Sequence, residues 1–237
     1  MKNIKPFLSN LIAHRGVHNK IIKENTITSI KKSIKLNVPV EFDITLTKDN
    51  VVVLCHDSYI KIINKKYEIR KYDFKYLKKI CHNLVTLEEV LKVVCGKIPL
   101  LIEFKYYNKG NKLAKQACKL LDNYKGPFAI QSFSVKIVSW FKRNRKEYLV
   151  GQLCLRKYDS KVKRYIISKA VMLSMHFTNP DFLSYNIKDL PNEKIERLRK
   201  RMPVLGWTVK NVNQIEKNSD YCDNFICDNI EEIMEEL

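Results

Sequence analysis

Glycine and proline are scarce in this sequence, which bears on whether the chain forms one domain or several domains joined by linkers. Among 237 residues there are 6 glycines and 7 prolines, and no stretch has the Gly-, Pro- or Ser-rich composition of a flexible linker. Hydrophobic residues make up 45% of the chain, which is enough to bury a sizeable core. We therefore expect one domain over residues 1–237.

The sequence also lacks a CxxC pair and a long apolar run. Its 7 cysteines are an odd number at irregular spacing, which argues against a disulfide framework and against a zinc knuckle. No run approaches the roughly 18–20 apolar residues that a membrane-spanning helix needs. The segment 1–11 is interrupted by lysine, proline and asparagine, unlike a signal peptide. The expected compartment is the cytosol.

Acidic residues are outnumbered, at 25 against 44 lysines and arginines, so that the net charge is +19. Such an excess can indicate a surface for nucleic acid or for an anionic membrane. The lysines are scattered along the chain, however, and this favours a generally basic surface over a specific nucleic-acid site. The resulting field is expected to attract anionic substrates at low salt.

Short apolar runs alternate with helical patterns along most of the chain. Strands are predicted at 11–13, 38–44, 51–55, 100–104, 128–131, 149–153, 182–185, 204–207 and 225–227. Helices are predicted at 24–36, 87–94, 111–123, 134–143, 160–169, 191–201, 211–218 and 229–236. The pattern at 171–175 fits either a helix or a strand.

Repeated strand–helix units imply a parallel sheet with right-handed crossovers. About eight units in a chain of this length predict an α/β fold of the (β/α)8 or TIM barrel type. A doubly wound open sheet is the alternative, but no G-x-G-x-x-G follows the first strand. The apolar run 51–55 is expected to pair with 45–46 as a hairpin across the turn residues at 48–50. The charged, less regular segment 58–83 is expected to be a small insertion.

Polar side chains fall at the predicted C-terminal ends of the strands, where a parallel barrel places its active site. They are His14 and Arg15 on the first strand, Glu41 and Asp43 on the second, Glu103 and Lys105 on the third, Gln131 on the fourth and Trp207 on the seventh. Residues two apart on a strand point to the same side. We therefore expect Glu41 to share a side with Asp43, and Glu103 with Lys105.

Three carboxylates from two adjacent strands form a set of oxygen ligands. Oxygen ligands suit hard cations such as Mg²⁺ or Ca²⁺. Without a cation, the mutual repulsion of Glu41, Asp43 and Glu103 would be costly. The alternative is that solvent or salt bridges to Arg15 and Lys105 neutralise them.

Two of the five histidines stand out. His14 and His56 each follow an apolar strand and have a charged neighbour, which makes them candidates for acid–base catalysis. His18, His82 and His176 have no such setting, and we expect them to be ordinary.

Several motifs occur in an order and spacing that resemble the glycerophosphodiester phosphodiesterase family. They are His14-Arg15-Gly16, Glu24-Asn25-Thr26, Glu41-Phe42-Asp43, Thr47-Lys48-Asp49, His56-Asp57, Ile102-Glu103-Phe104-Lys105, Gln131-Ser132-Phe133, Trp207-Thr208-Val209 and Asp228. Lys23 stands where the family usually has proline and Asn50 where it often has glycine, but asparagine tolerates a positive φ. Neither departure touches the expected chemistry.

The resemblance implies a barrel enzyme that cleaves glycerophosphodiesters into an alcohol and glycerol 3-phosphate with a divalent cation, Mg²⁺ or Ca²⁺. It implies these roles: Glu41, Asp43 and Glu103 hold the metal, His14 and His56 are the acid–base pair, Arg15 and Lys105 steady the phosphate, and Gln131 and Trp207 contribute to substrate binding. The nucleophile is either water or the 2-hydroxyl of the substrate's glycerol. The expected partner is a small phosphodiester, without specific nucleic-acid binding.

Two other functions compete with this one. A lysophospholipase D-like or phospholipase D-like enzyme of the same superfamily would use the same residues on a lipid. An exposed apolar rim or lid would favour it, and the candidate is 58–83 with Tyr59, Ile60, Ile62 and Ile63. A basic anion-binding module without activity would need a broken catalytic set, and no member is missing.

Overall fold

Eight parallel strands close into a barrel in the computed structural model, which describes residues 2–107, 111–154, 175 and 177–237. The barrel strands are β1 (Ile12–Ala13), β2 (Val40–Leu46), β6 (Leu100–Phe104), β7 (Phe128–Ser132), β8 (Leu149–Cys154), β9 (Phe182–Asn186), β10 (Val204–Val209) and β11 (Asn224–Cys227). Closure runs through β1, which pairs with β11 on one side and β2 on the other. The predicted (β/α)8 barrel is confirmed.

Helices follow most of the barrel strands. The described ones are α1 (Ile27–Lys35), α2 (Phe74–Ile80), α3 (Leu87–Val94), α4 (Lys112–Leu121), α5 (Val135–Asn144), α6 (Glu193–Arg199), α7 (Val212–Asn218) and α8 (Ile230–Glu236). Helix α1 begins after Thr26, whose side chain accepts a hydrogen bond from the Ser29 backbone N–H, a capping box. The predicted helix at 160–169 and nearly all of 171–175 lie outside the described residues.

The alternation of side chains along each strand separates two environments. Outward residues such as Phe42, Ile44 and Ile102 pack with the helices in one hydrophobic cluster. The lower barrel interior is filled by a second cluster from seven strands and the N-terminal segment: Phe7, Ile12, Leu101, Ala129, Leu149, Phe182, Leu205 and Ile226. Inward positions nearer the C-terminal ends are polar. The site therefore lies above an apolar floor.

Strand β2 is longer than predicted, which changes the place of its two carboxylates. Glu41 and Asp43 lie within β2 instead of at its end, because the strand continues to Leu46 and pairs there with β3 (Val52–Leu54). The antiparallel pairs Ile44–Leu54 and Leu46–Val52 confirm the predicted hairpin. The parallel pairing with β6 ends near Ile44, so the carboxylates still lie near the upper end of the barrel.

The segment after β3 is more regular than predicted. It contains the hairpin of β4 (Tyr59–Ile62) and β5 (Lys65–Glu68), a short 3-10 helix (Ile69–Lys71) and α2. Its own small core holds Val53, Ile60, Ile69, Leu77 and Leu84. Within the described ranges, no helix has the length and apolar character needed to cross a membrane.

Candidate active site

Three buried carboxylates form the centre of the site. One oxygen from each of Glu41, Asp43 and Glu103 lies within 4.8 Å of the others. Two features of the barrel produce this cluster. Residues 41 and 43 share the inner face of β2, and the parallel register sets Asp43 opposite Glu103 on β6.

Two cations neutralise part of this cluster. Lys105 Nζ lies 2.8 Å from Asp43 Oδ1 and 2.5 Å from Glu103 Oε1. Arg15 Nε lies 3.3 Å from Asp43 Oδ2. Burial alone would raise the pKa of Asp43, but the charges of Lys105 and Arg15 lower it to about 2. Asp43 is thus an ionised carboxylate held between two cations.

The two glutamates differ from Asp43, because their pKa values are raised. Burial and the charge of Asp43 raise the pKa of Glu103 to about 7. Burial, and then the charge of Asp43, raises the pKa of Glu41 well above its ordinary value. No lysine or arginine in the described ranges forms an ion pair with Glu41, which accepts a 3.1 Å hydrogen bond from the Arg15 backbone N–H. Glu41, which forms no ion pair with a lysine or arginine there, completes with Asp43 and Glu103 a donor set that fits a hard divalent cation.

The loop after β1 carries Arg15 and the support for Asp43. Arg15 and Asn25 both have positive φ, and Arg15 Nη1 donates to Glu24 Oε1 at 2.8 Å. Asn25 Nδ2 donates to Asp43 Oδ2 at 3.0 Å, and Asn25 Oδ1 accepts from the Asp43 backbone N–H at 3.2 Å. The sequence alone assigned no role in the site to Asn25. Its position in the Glu24-Asn25-Thr26 motif was the available signal.

Gly16 sets the path of this loop, and its replacement should be costly. Its φ is +80°, and an added Cβ would lie 2.5 Å from Ser29 Oγ and 2.9 Å from the Ser29 carbonyl carbon. We expect Gly16→Ala to lower the free energy of unfolding by about 2–4 kcal/mol, from backbone strain and overpacking together. Chemical denaturation measures it.

Gly96 offers a matched control for Gly16→Ala. Its φ is +79°, but the nearest atom to an added Cβ is 3.5 Å away. Gly96→Ala should therefore carry only the backbone cost, about 1 kcal/mol. Equal losses of stability in the two variants would contradict the assigned clash with Ser29.

Each candidate histidine has one ring nitrogen bound to an aspartate. His14 Nδ1 lies 2.7 Å from Asp228 Oδ1, and its Nε2 lies 4.0 Å from Glu41 Oε2. His56 Nδ1 lies 2.8 Å from Asp57 Oδ1. With Nδ1 donating to a carboxylate, Nε2 is the nitrogen left to exchange a proton. Asp228 follows the last barrel strand. In the sequence, only its place among the motifs that resemble the family indicated this residue.

His56 is more exposed than His14, and its surroundings favour the neutral ring. Burial, and then the positive charge of Lys105, lowers the pKa of His56 below its ordinary value. Its backbone carbonyl accepts a 3.0 Å hydrogen bond from the Tyr107 hydroxyl, which connects this loop to the one after β6.

Gln131 and Trp207 are the two remaining predicted site residues. Gln131 is buried, pairs in register with Glu103, and its Oε1 accepts a 2.7 Å hydrogen bond from Ser184 Oγ. Trp207 packs against the barrel floor and against Phe133, with ring centroids 5.6 Å apart. Its Nε1 is buried and has no hydrogen-bond partner among the described residues. Among the residues that the structure describes, no ion pair or hydrogen bond joins Gln131 or Trp207 to the three carboxylates.

The remaining histidines differ in setting. His18 Nδ1 lies 2.9 Å from the Gly16 carbonyl oxygen. His82 is exposed on the segment before α3. His176 lies outside the described residues.

Comparison with known proteins gives consistent matches. A family model described as the glycerophosphoryl diester phosphodiesterase family matches residues 14–232. The chain is 29% identical over 147 residues to YhdW of Bacillus subtilis strain 168, which is assigned by name to the glycerophosphodiester phosphodiesterases. That alignment covers 56% of this chain and 60% of YhdW. It thus spans less than two thirds of this relative.

Solved structures with the same fold include two similar chains. A glycerophosphodiester phosphodiesterase from Thermotoga maritima superposes with a TM-score of 0.79 at 22% identity, covering 96% of this chain and 98% of that one. A phosphodiesterase from Oleispira antarctica, in complex with the product sn-glycerol-3-phosphate, gives 0.80 at 19% identity, covering 98% and 97%. At these identities the likeness shows the fold.

Proposed function

The chain belongs to the glycerophosphoryl diester phosphodiesterase family, and from this membership we propose that it hydrolyses glycerophosphodiesters to an alcohol and glycerol 3-phosphate with a divalent cation. The main observation that supports this proposal is the cluster of three carboxylates at the C-terminal end of the barrel, with two cations and two histidines beside it. We further propose that residues 1–237 form one catalytic domain, with 58–83 inserted in it.

Glu41, Asp43 and Glu103 would hold the cation, which is Mg²⁺ or Ca²⁺ because all three donors are carboxylate oxygens. When bound, a divalent cation neutralises charge on a non-bridging phosphate oxygen. Burial and neighbouring negative charge raise the pKa values of Glu41 and Glu103, and a bound cation would counter that negative charge.

Arg15 and Lys105 would bind the phosphate and counter the charge that develops at phosphorus. Glu24 and Asp43 hold the Arg15 guanidinium from two sides, so its orientation is set before substrate arrives. Trp207 Nε1, a buried donor without a hydrogen-bond partner among the described residues, would be available to a substrate oxygen. Gln131 would act as a support beside Glu103, since its carbonyl oxygen already accepts from Ser184.

The histidines would divide the proton transfers. His56 would act as the base, because its lowered pKa favours the neutral ring near pH 7. Its Nε2 would take the proton of the attacking hydroxyl as the new P–O bond forms. His14, oriented by Asp228, would give a proton from Nε2 to the leaving oxygen as the old P–O bond breaks.

The attacking group is either water or the glycerol 2-hydroxyl of the substrate. Attack by the 2-hydroxyl would form a cyclic phosphate, which water then opens. The same two histidines would serve either route, with exchanged roles in the second step.

Assays of glycerol 3-phosphate release from glycerophosphocholine test this function. We expect turnover with Mg²⁺ or Ca²⁺ and its loss in excess chelator, restored by adding the cation back. Lysophosphatidylcholine, assayed in parallel, tests the lipid-hydrolysing alternative. Turnover that persists undiminished in chelator would contradict the metal role, and faster turnover of the lysolipid would favour the alternative.

A further inference from the structure

Three large apolar side chains are exposed on loops beside the site. Ile21 is 90% exposed, Ile63 is 87% exposed and Tyr106 is 59% exposed. A single exposed apolar side chain is ordinary on a protein surface. Here each belongs to an apolar pair whose other member is partly buried and anchors the loop: Ile21 with Ile22, Ile62 with Ile63 and Tyr106 with Tyr107.

These loops all leave the barrel where the candidate active site lies. Ile21 lies between β1 and α1, Ile63 at the tip of the β4–β5 hairpin and Tyr106 after β6. Contacts at the bases of the loops hold them together, namely the Arg15–Asp43 ion pair and the Tyr107–His56 hydrogen bond. We call Ile21, Ile63 and Tyr106 the apolar rim.

Lysines surround two members of the apolar rim. Ile21 stands in Lys20-Ile21-Ile22-Lys23, and Ile63 stands in Lys61-Ile62-Ile63-Asn64-Lys65-Lys66. These lysines are exposed. Residues 59–80 contain 8 basic residues against 2 acidic ones, and one of the two, Glu68, is already paired with Arg70 and Lys71.

The hairpin tip holds its isoleucine in an unfavourable backbone conformation. Ile63 has a φ of 54°, a region that β-branched residues rarely adopt. Asparagine or glycine is usual at such a turn. An isoleucine that is both strained and exposed contributes little to folding, which points to a role at a surface.

We propose that the apolar rim docks this protein on a membrane surface that carries anionic lipid. Short apolar side chains at loop tips can enter the interfacial layer, and neighbouring lysines are attracted to anionic headgroups. Nucleic acid fits the rim less well, because single-stranded binding uses stacking on aromatic rings and two of the three rim residues are aliphatic. Docking in this orientation turns the mouth of the site towards the lipid–water interface.

Vesicle sedimentation tests the docking. The protein of residues 1–237 is mixed with phosphatidylcholine vesicles, with or without phosphatidylglycerol, at low and high salt. We expect binding to the anionic vesicles that weakens with salt, and a loss of at least about tenfold in partitioning for the double variant Ile21→Ser, Ile63→Asn. Asparagine suits the positive φ of residue 63, so this variant should keep its fold.

Phe177→Ser is the matched control. Phe177 is 88% exposed but lies just before β9, at the opposite end of the barrel, where the Asp181 N–H donates to the Val150 carbonyl. Partitioning of the Phe177→Ser variant onto the anionic vesicles should differ from that of the parent by less than about twofold. Equal binding by the double variant and the parent, or no binding to anionic vesicles, would overturn the proposal. Displacement of the vesicles by a DNA oligonucleotide that binds the parent and the double variant equally would also overturn the proposal.

Release of glycerol 3-phosphate from water-soluble glycerophosphocholine separates this proposal from the proposed function. The double variant should retain the parent's rate, because neither isoleucine belongs to the catalytic set. Vesicle binding without turnover by the parent would contradict the proposed function alone. Turnover without vesicle binding would contradict the docking alone.

Discussion

Replacement of His14 or His56 by alanine is expected to lower kcat on glycerophosphocholine by about 10²–10⁴-fold, because each removes one of the two proton transfers. His82→Ala is the control: this ring is exposed before α3, away from the carboxylates, and its loss should leave kcat unchanged. Retention of near-normal kcat by either active-site variant would contradict its assignment.

The pH profile separates the two histidines. The pKa of His56 lies below its ordinary value, and a base acts in its deprotonated form. The acidic limb of the kcat/KM profile should therefore lie below pH 6.5. Along it, kcat/KM rises as pH increases through the pKa of His56 and then levels off. Residual activity of His56→Ala should lack this limb. An unchanged limb would show that another group is the base.

Asp228→Asn tests whether the aspartate positions His14. The amide can no longer accept from Nδ1 with a full negative charge, so the ring loses its fixed orientation. We expect kcat to fall by about 10–100-fold, less than in His14→Ala, with KM little changed. Combination with His14→Ala should add no further loss. Additive losses would mean that Asp228 acts independently of His14.

Glu41→Gln and Asp43→Asn are expected to abolish cation-dependent turnover and yet to have different effects on stability. Asp43 is ionised between buried Lys105 and partly buried Arg15, so Asp43→Asn removes the charge that they share and leaves each with one carboxylate, Glu103 and Glu24. We expect the free energy of unfolding to fall by about 2–3 kcal/mol. Glu41 forms no ion pair with a lysine or arginine in the described part of the chain, and burial raises its pKa. In chelator, Glu41→Gln should therefore unfold within about 1 kcal/mol of the parent.

Thermal unfolding with and without Mg²⁺ or Ca²⁺ measures both properties at once. A cation that binds only the folded state raises the Tm of the parent, and neither variant should show this increase. Asp122→Asn serves as a control for loss of an ion pair: Asp122 pairs with Arg145 at the surface, so its effect should stay near 1 kcal/mol. Equal destabilisation of the Glu41 and Asp43 variants would contradict the electrostatic difference between them.

The local pattern of the sequence was sufficient to predict the barrel, and the polar residues near its strand ends indicated the candidate site. Alternating apolar runs report burial on both faces of a strand, and the spacing of Glu41 with Asp43 follows directly from the pleat. The hairpin that returns the chain to His56 was likewise predictable, because it joins neighbouring segments across a short turn.

Tertiary structure decided which charges pair. The His14–Asp228 contact joins the first and last strands of the closed barrel, 214 residues apart. Lys105 bridges Asp43 and Glu103 only because parallel register sets β2 against β6. Asn25 supports Asp43 through a loop with positive φ. Local patterns carry burial and direction along one strand, whereas these pairings depend on barrel closure and on register between strands distant in sequence.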